Sequence, residues 1–304
     1  MKLPTALFLL LAGCGHAHVP APLSPGEGSA AINGSVARWH IFGHGPVVVV
    51  EPGGPGLSWD YLRMPALEEH LTVVYIEPVG SGDSGRLADA KGYTRARWVD
   101  DLDKIREHLG LDRIILLGHS YGGFIAQDYA IQHGAHLRGL ILFGTSPRTD
   151  KDFGEQIQRN LKRFEGESWF KDAFAAMGEE DKATSEDEGK AIVRREVPFY
   201  VENYSAHAEE IQRRVANLRF NPAAEHGEGT PFDVREALRG VHIPTLVLSG
   251  EHDFICDPRF GREMHEAIAG SRLVIIPNAN HMAHWDQPEA VARAIHSFVA
   301  DVEK

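Results

Sequence analysis

The sequence predicts an α/β fold: a mostly parallel central sheet with helices on both faces and an inserted helical cap. Three observations carry that reading. After residue 35, short apolar strand-like runs alternate with helix-like segments, as parallel strands joined by crossover helices do. At Gly118-His119-Ser120-Tyr121-Gly122 an apolar run gives way at once to a helical pattern. Between about residues 150 and 238 the alternation stops, and a charge-rich stretch with helical periodicity replaces it.

Taken in order, the chain opens with MKLPTALFLLLAGC, in which Lys2 precedes an apolar run, Ala6 to Ala12. That run is too short to span a bilayer, and residues 1–13 read as an export signal. Leu11-Ala12-Gly13-Cys14 is similar to a bacterial lipobox, so a lipid on Cys14 would be the one link to a membrane. A plain secretory signal, or a start codon upstream of a cytosolic enzyme, are the alternatives. Residues 14–35, rich in Pro, Gly and Ser from Val19 to Ser29, read as a flexible tether.

Residues 36–149 and 239–304 then supply the core. Val36 to Phe42 and Val47 to Glu51 read as strands joined by a Gly-His-Gly-Pro turn, and Leu71 to Ile76 as a third. Arg97 to Leu109 is an amphipathic helix with Val99, Leu102, Ile105 and Leu109 on one face. Ile114 to Leu117, Leu140 to Phe143, Thr245 to Leu248 and Leu273 to Ile276 are short buried strands. A last helix runs from Pro288 to Val302, with proline suited to its first turn. Residues 150–238, with SWFKDAFAAM and EVPFYVENY, form the cap.

Composition narrows the function. The 304 residues suffice for one large domain with an insert, and 43% apolar with 24% charged residues is ordinary for a globular chain. A net charge of −12 argues against a general nucleic-acid or anionic-membrane surface. The two cysteines are Cys14 and Cys256, so acylation of the first leaves no internal disulfide. No H-E-x-x-H pattern and no glycine loop of nucleotide-binding spacing occurs, so neither metal nor cofactor is expected. The expected partner is a small-molecule or short-peptide substrate.

A serine hydroxyl becomes a useful nucleophile only when a base takes its proton and the group is held exposed. A tight strand-to-helix turn exposes Ser120, and glycines two residues either side let the backbone bend that sharply. Such a nucleophile calls for an acid and then a histidine after later strands. PTLVLSGEHDFICDP offers Asp253 to orient the imidazole, and RLVIIPNANHMAHWDQPE offers His281 as proton carrier. Asp257, directly before Pro258, and His284 are the rivals. His119 points into the fold, and Cys256 is a buried thiol near the acid. The oxyanion donors are the backbone N–H of Tyr121 and that of Gly54, in Pro52-Gly53-Gly54-Pro55-Gly56.

From about residue 36 to its end the chain resembles the α/β-hydrolase superfamily, and within it the proline iminopeptidase-like serine peptidases. Pro52-Gly53-Gly54-Pro55-Gly56 stands where that group has H-G-G-P-G, and Glu77-Pro78-Val79-Gly80-Ser81-Gly82-Asp83-Ser84 where it has D-Q-R-G-x-G-x-S. Pro52 and Val79 replace a histidine and an arginine that brace the oxyanion loop, so the loop here is held by other means or shaped differently. The resemblance implies a serine hydrolase that releases an N-terminal residue from small peptides, its free amine met by cap carboxylates. Glu196, Glu202, Glu209 and Glu210 are available for that role, with Phe199, Tyr200 and Tyr204 to wall a ring pocket. A carboxylesterase or lactonase is the alternative, and a ligand-binding homologue without turnover a distant one. Dehalogenase chemistry is disfavoured, since it needs an aspartate at position 120.

Overall fold

Val47 to Val50 show how the sheet is built. Val48 and Val50 pack with Ile115 and Leu117 in one apolar cluster, while Val49 packs with Ile114 and Leu116 in another. Alternate residues thus face opposite sides, and both sides are covered, which is why these strands read as unbroken apolar runs. The computed structural model describes residues 23–225 and 231–304. Its sheet has eight strands: β1 Gly26–Ile32, β2 Ser35–Gly43, β3 Val47–Glu51, β4 Thr72–Glu77, β5 Ile114–His119, β6 Leu137–Phe143, β7 Thr245–Gly250 and β8 Arg272–Ile276. Their order is β1-β2-β4-β3-β5-β6-β7-β8. The β1–β2 and β2–β4 pairs are antiparallel and all others parallel, so the mostly parallel sheet expected from the sequence is present.

The core helices in the first half are α1 Pro65–Glu68, α2 Arg95–His108 and α3 Tyr121–His133. Thr94 caps α2 by accepting the Arg97 N–H at 3.1 Å, and Trp98, Val99, Leu102 and Ile105 turn its apolar stripe onto the sheet. Between β6 and β7 come α4 Lys151–Leu161, α5 Phe170–Met177, α6 Glu186–Glu196, α7 Tyr204–Arg214, α8 Pro222–Glu225 and α9 Arg235–Leu238. After β7 follow α10 Pro258–Ala267, α11 Ala283–Asp286 and α12 Pro288–Val302. Buried Arg148 fixes the base of the insert, reaching Asp152 at its start and Glu263 on α10, each at 2.8 Å.

The tether expected over residues 14–35 is corrected at its C-terminal end. Gly26–Ile32 pairs along its whole length with β2, from Gly26 opposite Ile41 to Ile32 opposite Ser35. Asn33 and Gly34 make the two-residue turn, at φ 51° and 76°, the left-handed pair that suits an Asn-Gly hairpin. GEGSAAI is a poor strand former by composition; the backbone ladder and the turn create the strand. The expected export signal and Cys14 lie outside the described residues. Among the described residues no helix is long and apolar enough to cross a membrane.

Candidate active site

Ser120 sits where β5 ends and α3 begins, in the middle of the sheet. Its backbone is strained, at φ 54° and ψ −121°. The turn is possible because nothing but hydrogen fits beside it: a Cβ on Gly122 would lie 2.2 Å from the Glu51 carbonyl oxygen, and one on Gly118 2.3 Å from that of Gly122. Ser120 N–H donates to Phe143 C=O at 3.0 Å, and Thr145 Oγ1 donates to Ser120 C=O at 2.8 Å, so the strained residue is held from both sides.

Two later loops carry the candidate base and acid. His281 follows β8, and Asp253 follows β7. Their side chains are buried, with His281 Nδ1 2.9 Å from Asp253 Oδ2 and 3.0 Å from Oδ1. The Ile255 and Cys256 N–H groups donate to the same carboxylate at 3.1 and 2.8 Å. A carboxylate accepting this many bonds requires the His281 proton on Nδ1, which leaves Nε2 as the basic nitrogen. Ser120, Tyr121, Gly54 and His281 all line one cavity of about 290 Å³.

The glycine loop before this cavity carries a brace of its own. Gly53 N–H donates to Tyr61 Oη at 2.6 Å, so that hydroxyl must donate onward, and His119 Nδ1 lies 3.0 Å away to accept. His119 Nε2–H then donates to the His281 carbonyl at 3.2 Å. Burial and the neighbouring His281 and His284 rings hold the His119 pKa far below the usual range, consistent with this neutral tautomer. One chain of hydrogen bonds therefore joins the glycine loop to the histidine loop. It holds the glycine loop at a place where the Pro52 and Val79 side chains have no hydrogen-bonding group to offer. Gly53 N–H is engaged by Tyr61 Oη, while Gly54, at φ 64°, lines the cavity beside Ser120 and Tyr121. Tyr61→Phe is expected to lower kcat/KM by about 10- to 100-fold, less than the 10²–10³ for loss of a direct oxyanion donor. Steady-state kinetics checks this, and an unchanged kcat/KM would count against the brace.

The α/β-hydrolase fold family matches residues 46–288. The chain belongs to the α/β-hydrolase family. A proline iminopeptidase from Saccharolobus solfataricus is 30% identical over 280 residues, covering 87% of this chain and 88% of its own length. The proline iminopeptidase PfmaB of Pestalotiopsis fici is 29% identical over 282 residues, 88% of this chain and 97% of its own. The enol-lactonase from Burkholderia xenovorans LB400 shares the fold, with a TM-score of 0.69 at 22% identity over 90% of this chain and all of its own. The protein is thus a hydrolase enzyme of the α/β-hydrolase family.

The cap of this α/β-hydrolase contributes a wall that the sequence only half disclosed. Glu196, at the end of α6, and Tyr200 line the cavity. So do Glu180 and Glu225, which the sequence gave no reason to single out: they lie in separate short elements and meet only through packing. Glu196 is 2% exposed. Burial, a hydrogen bond with Glu180 and the charges of Glu180 and Glu225 push its pKa up to about 10. Much of the remaining wall is apolar, including Phe124, Phe153 and Leu218.

Other expectations are corrected. Phe199 does not reach the cavity; it is fully buried among Phe164, Trp169 and Phe170 of the cap and Phe254 of the core. Glu202 turns outward and lies 3.2 Å from the His252 ring, in a surface depression. Glu209 is exposed, and Glu210 pairs with Arg214 on the surface. Tyr204 packs against Trp169 instead of lining the cavity. The rivals have structural employment: Asp257 caps α10 and accepts from Gln156 and Asn160 at 2.9 and 3.0 Å, and buried His284 donates to the Tyr61 carbonyl at 2.9 Å. Burial and the Asp253 and Asp257 carboxylates push the Cys256 thiol well up, so it stays protonated at the cavity edge.

Two clusters among the described residues have cation-ligand spacing, Asp253-Cys256-His281 and Asp103-His133-His136. In the first the carboxylate is committed to His281 and two N–H groups. In the second Asp103 already accepts from Arg106 at 2.8 Å and Tyr129 at 2.7 Å.

Proposed function

We propose that the protein is a serine hydrolase acting by acyl transfer, an aminopeptidase of the proline iminopeptidase type that releases an N-terminal residue from small peptides. In this reading Ser120 is the nucleophile, His281 the proton carrier and Asp253 its orienting acid. The Ser120 Oγ–H proton passes to His281 Nε2 as Oγ bonds to the substrate carbonyl carbon. The Gly54 and Tyr121 N–H groups receive the oxyanion, helped by the positive end of α3. His281 returns the proton to the leaving amine nitrogen as the C–N bond breaks. Water, deprotonated by the same imidazole, then frees the acyl group and restores Ser120.

The observation that carries the peptidase reading is the set of three cap carboxylates on the wall of the cavity that also holds Ser120 and His281. Glu196 is buried beside the other two, and a buried carboxylate is costly unless a cation joins it, as the ammonium of a peptide N-terminus would. The identity to two proline iminopeptidases over nearly the whole chain supports the same reading. The apolar remainder of the wall would suit short acyl esters or lactones, which have no need of the carboxylates.

A panel of chromogenic substrates separates these readings. Prolyl and other aminoacyl anilides are expected to exceed their N-acetylated counterparts in kcat/KM by about 100-fold or more, the worth of a buried charge pair. A preference for acetylated substrates, or for simple esters alone, would overturn the peptidase assignment while leaving the acyl-transfer mechanism standing.

A further inference from the structure

We infer that Asn280 and Asp286 form a clamp that fixes the distance between the cap wall and the His281–Asp253 pair, and so act as positioning residues selecting substrates whose amine lies close to the scissile carbonyl. The inference rests on the function proposed above.

Asn280, immediately before His281, is completely buried and uses its full hydrogen-bonding capacity. Its Oδ1 accepts the His281 N–H at 2.9 Å and the Phe254 N–H at 3.1 Å, binding together the loops that carry the base and the acid. Its Nδ2 donates to the Phe199 and Val201 carbonyls, at 2.8 and 3.3 Å, in the cap. Asp286 adds a second link: Oδ2 accepts the Asn280 N–H at 2.8 Å, and Oδ1 accepts the Glu202 N–H at 3.0 Å. Met282 N–H donates to the Tyr200 carbonyl at 2.8 Å.

Four consecutive cap residues, Phe199 to Glu202, are thus stitched through their backbones to residues 280–286. The side chain of Tyr200 stands on the cavity wall with its ring 5.7 Å from that of His281, and Glu196 lies one helical turn earlier. The amine anchor and the proton carrier therefore belong to one hydrogen-bonded body, whose dimensions decide how far from the reacting carbonyl a bound ammonium can sit. A site held this way favours aminoacyl groups over longer chains, and catalytic rates fall steeply when such a spacing shifts by even an ångström.

Asn280→Asp tests this, because it keeps the acceptor side, toward His281 and Phe254, and replaces the donor aimed at the cap by an oxygen. Asp286→Asn weakens the second link and serves as an independent variant should the first fold poorly, with circular dichroism and thermal melts as the folding control. Three rates are measured on each: kcat/KM for an aminoacyl anilide, kcat/KM for 4-nitrophenyl acetate, and fluorophosphonate labelling of Ser120. The clamp predicts a loss of about 10- to 100-fold on the anilide, in KM as well as kcat, against less than about 3-fold on the other two. Equal losses on all three, or no loss on the anilide in a folded variant, would overturn it. If the wild-type enzyme itself fails to label, the serine-hydrolase reading falls and takes the clamp with it; a labelled wild type with unchanged selectivity in the variants sinks the clamp alone.

Discussion

Ser120→Ala is expected to lower kcat by about 10⁴- to 10⁶-fold, the loss seen when a triad nucleophile is removed. In the proposed function this hydroxyl bonds to the substrate carbonyl, and it shares its cavity with His281, whose ring is paired with Asp253. The same position offers a second, opposite readout. Ser120 is held at φ 54° and ψ −121°, a conformation that costs a residue with a Cβ about 1–3 kcal/mol. Glycine tolerates it, at the expense of greater freedom in the unfolded chain. Ser120→Gly is therefore expected to be as inactive as the alanine variant and to melt about 2–4 °C above the wild type. Calorimetry with kinetics on both variants checks the pair of statements. Alanine with near-native kcat would remove the nucleophile from the scheme, and a glycine variant that melts lower would deny stored strain.

Glu196→Gln should divide function from stability in a similar way. In the proposed function this carboxylate receives the substrate ammonium, so kcat/KM on a free aminoacyl anilide should fall by about 10²- to 10³-fold, while an N-acetylated substrate changes little. Its effect on folding has the other sign. The folded pKa is raised, so folding gains from the protonated acid below the ordinary carboxylate value, and that gain disappears as pH climbs toward about 10. At pH 8 the wild type therefore carries most of the penalty of a buried, crowded acid, which a neutral glutamine avoids while still donating to Glu180. The variant should be more stable by on the order of 2 kcal/mol at pH 8, with the difference vanishing near pH 4.5. Denaturant melts at the two pH values, alongside kinetics, check it. A variant less stable at pH 8, or with native KM for the free amine, would take Glu196 out of the amine site.

How much of this was legible in the sequence follows from the kind of signal each part leaves. The parallel strands could be read because a strand covered on both faces must be apolar throughout, as Val47 to Val50 and Ile114 to Leu117 are. The elbow could be read because the backbone there excludes side chains at positions 118 and 122. Asp253 and His281 could be picked out because each follows a late strand, in the chain order that goes with a strand-to-helix serine elbow. β1 was missed because its strength lies in backbone pairing and the Asn33-Gly34 turn, not in its side chains. Tyr61 was missed for a different reason: its role is a single hydroxyl reaching across to Gly53 and His119, which no local pattern encodes. The cap wall was the least legible. Phe199 and Tyr200 are neighbours, yet one enters an aromatic core and the other faces the cavity. Glu202 looks outward, while Glu180 and Glu225 arrive from elements far away along the chain. Packing of short helices decides those directions, and periodicity does not.

The central claim is that Ser120 is made nucleophilic by His281. Its most direct test is the rate at which a fluorophosphonate adds to the protein, followed by intact mass and peptide mapping. One phosphonyl group per chain on the peptide carrying Ser120, with the rate falling by about 10³-fold or more in His281→Ala, is the predicted result. No adduct at Ser120, or one that forms at the same rate without the imidazole, would contradict it.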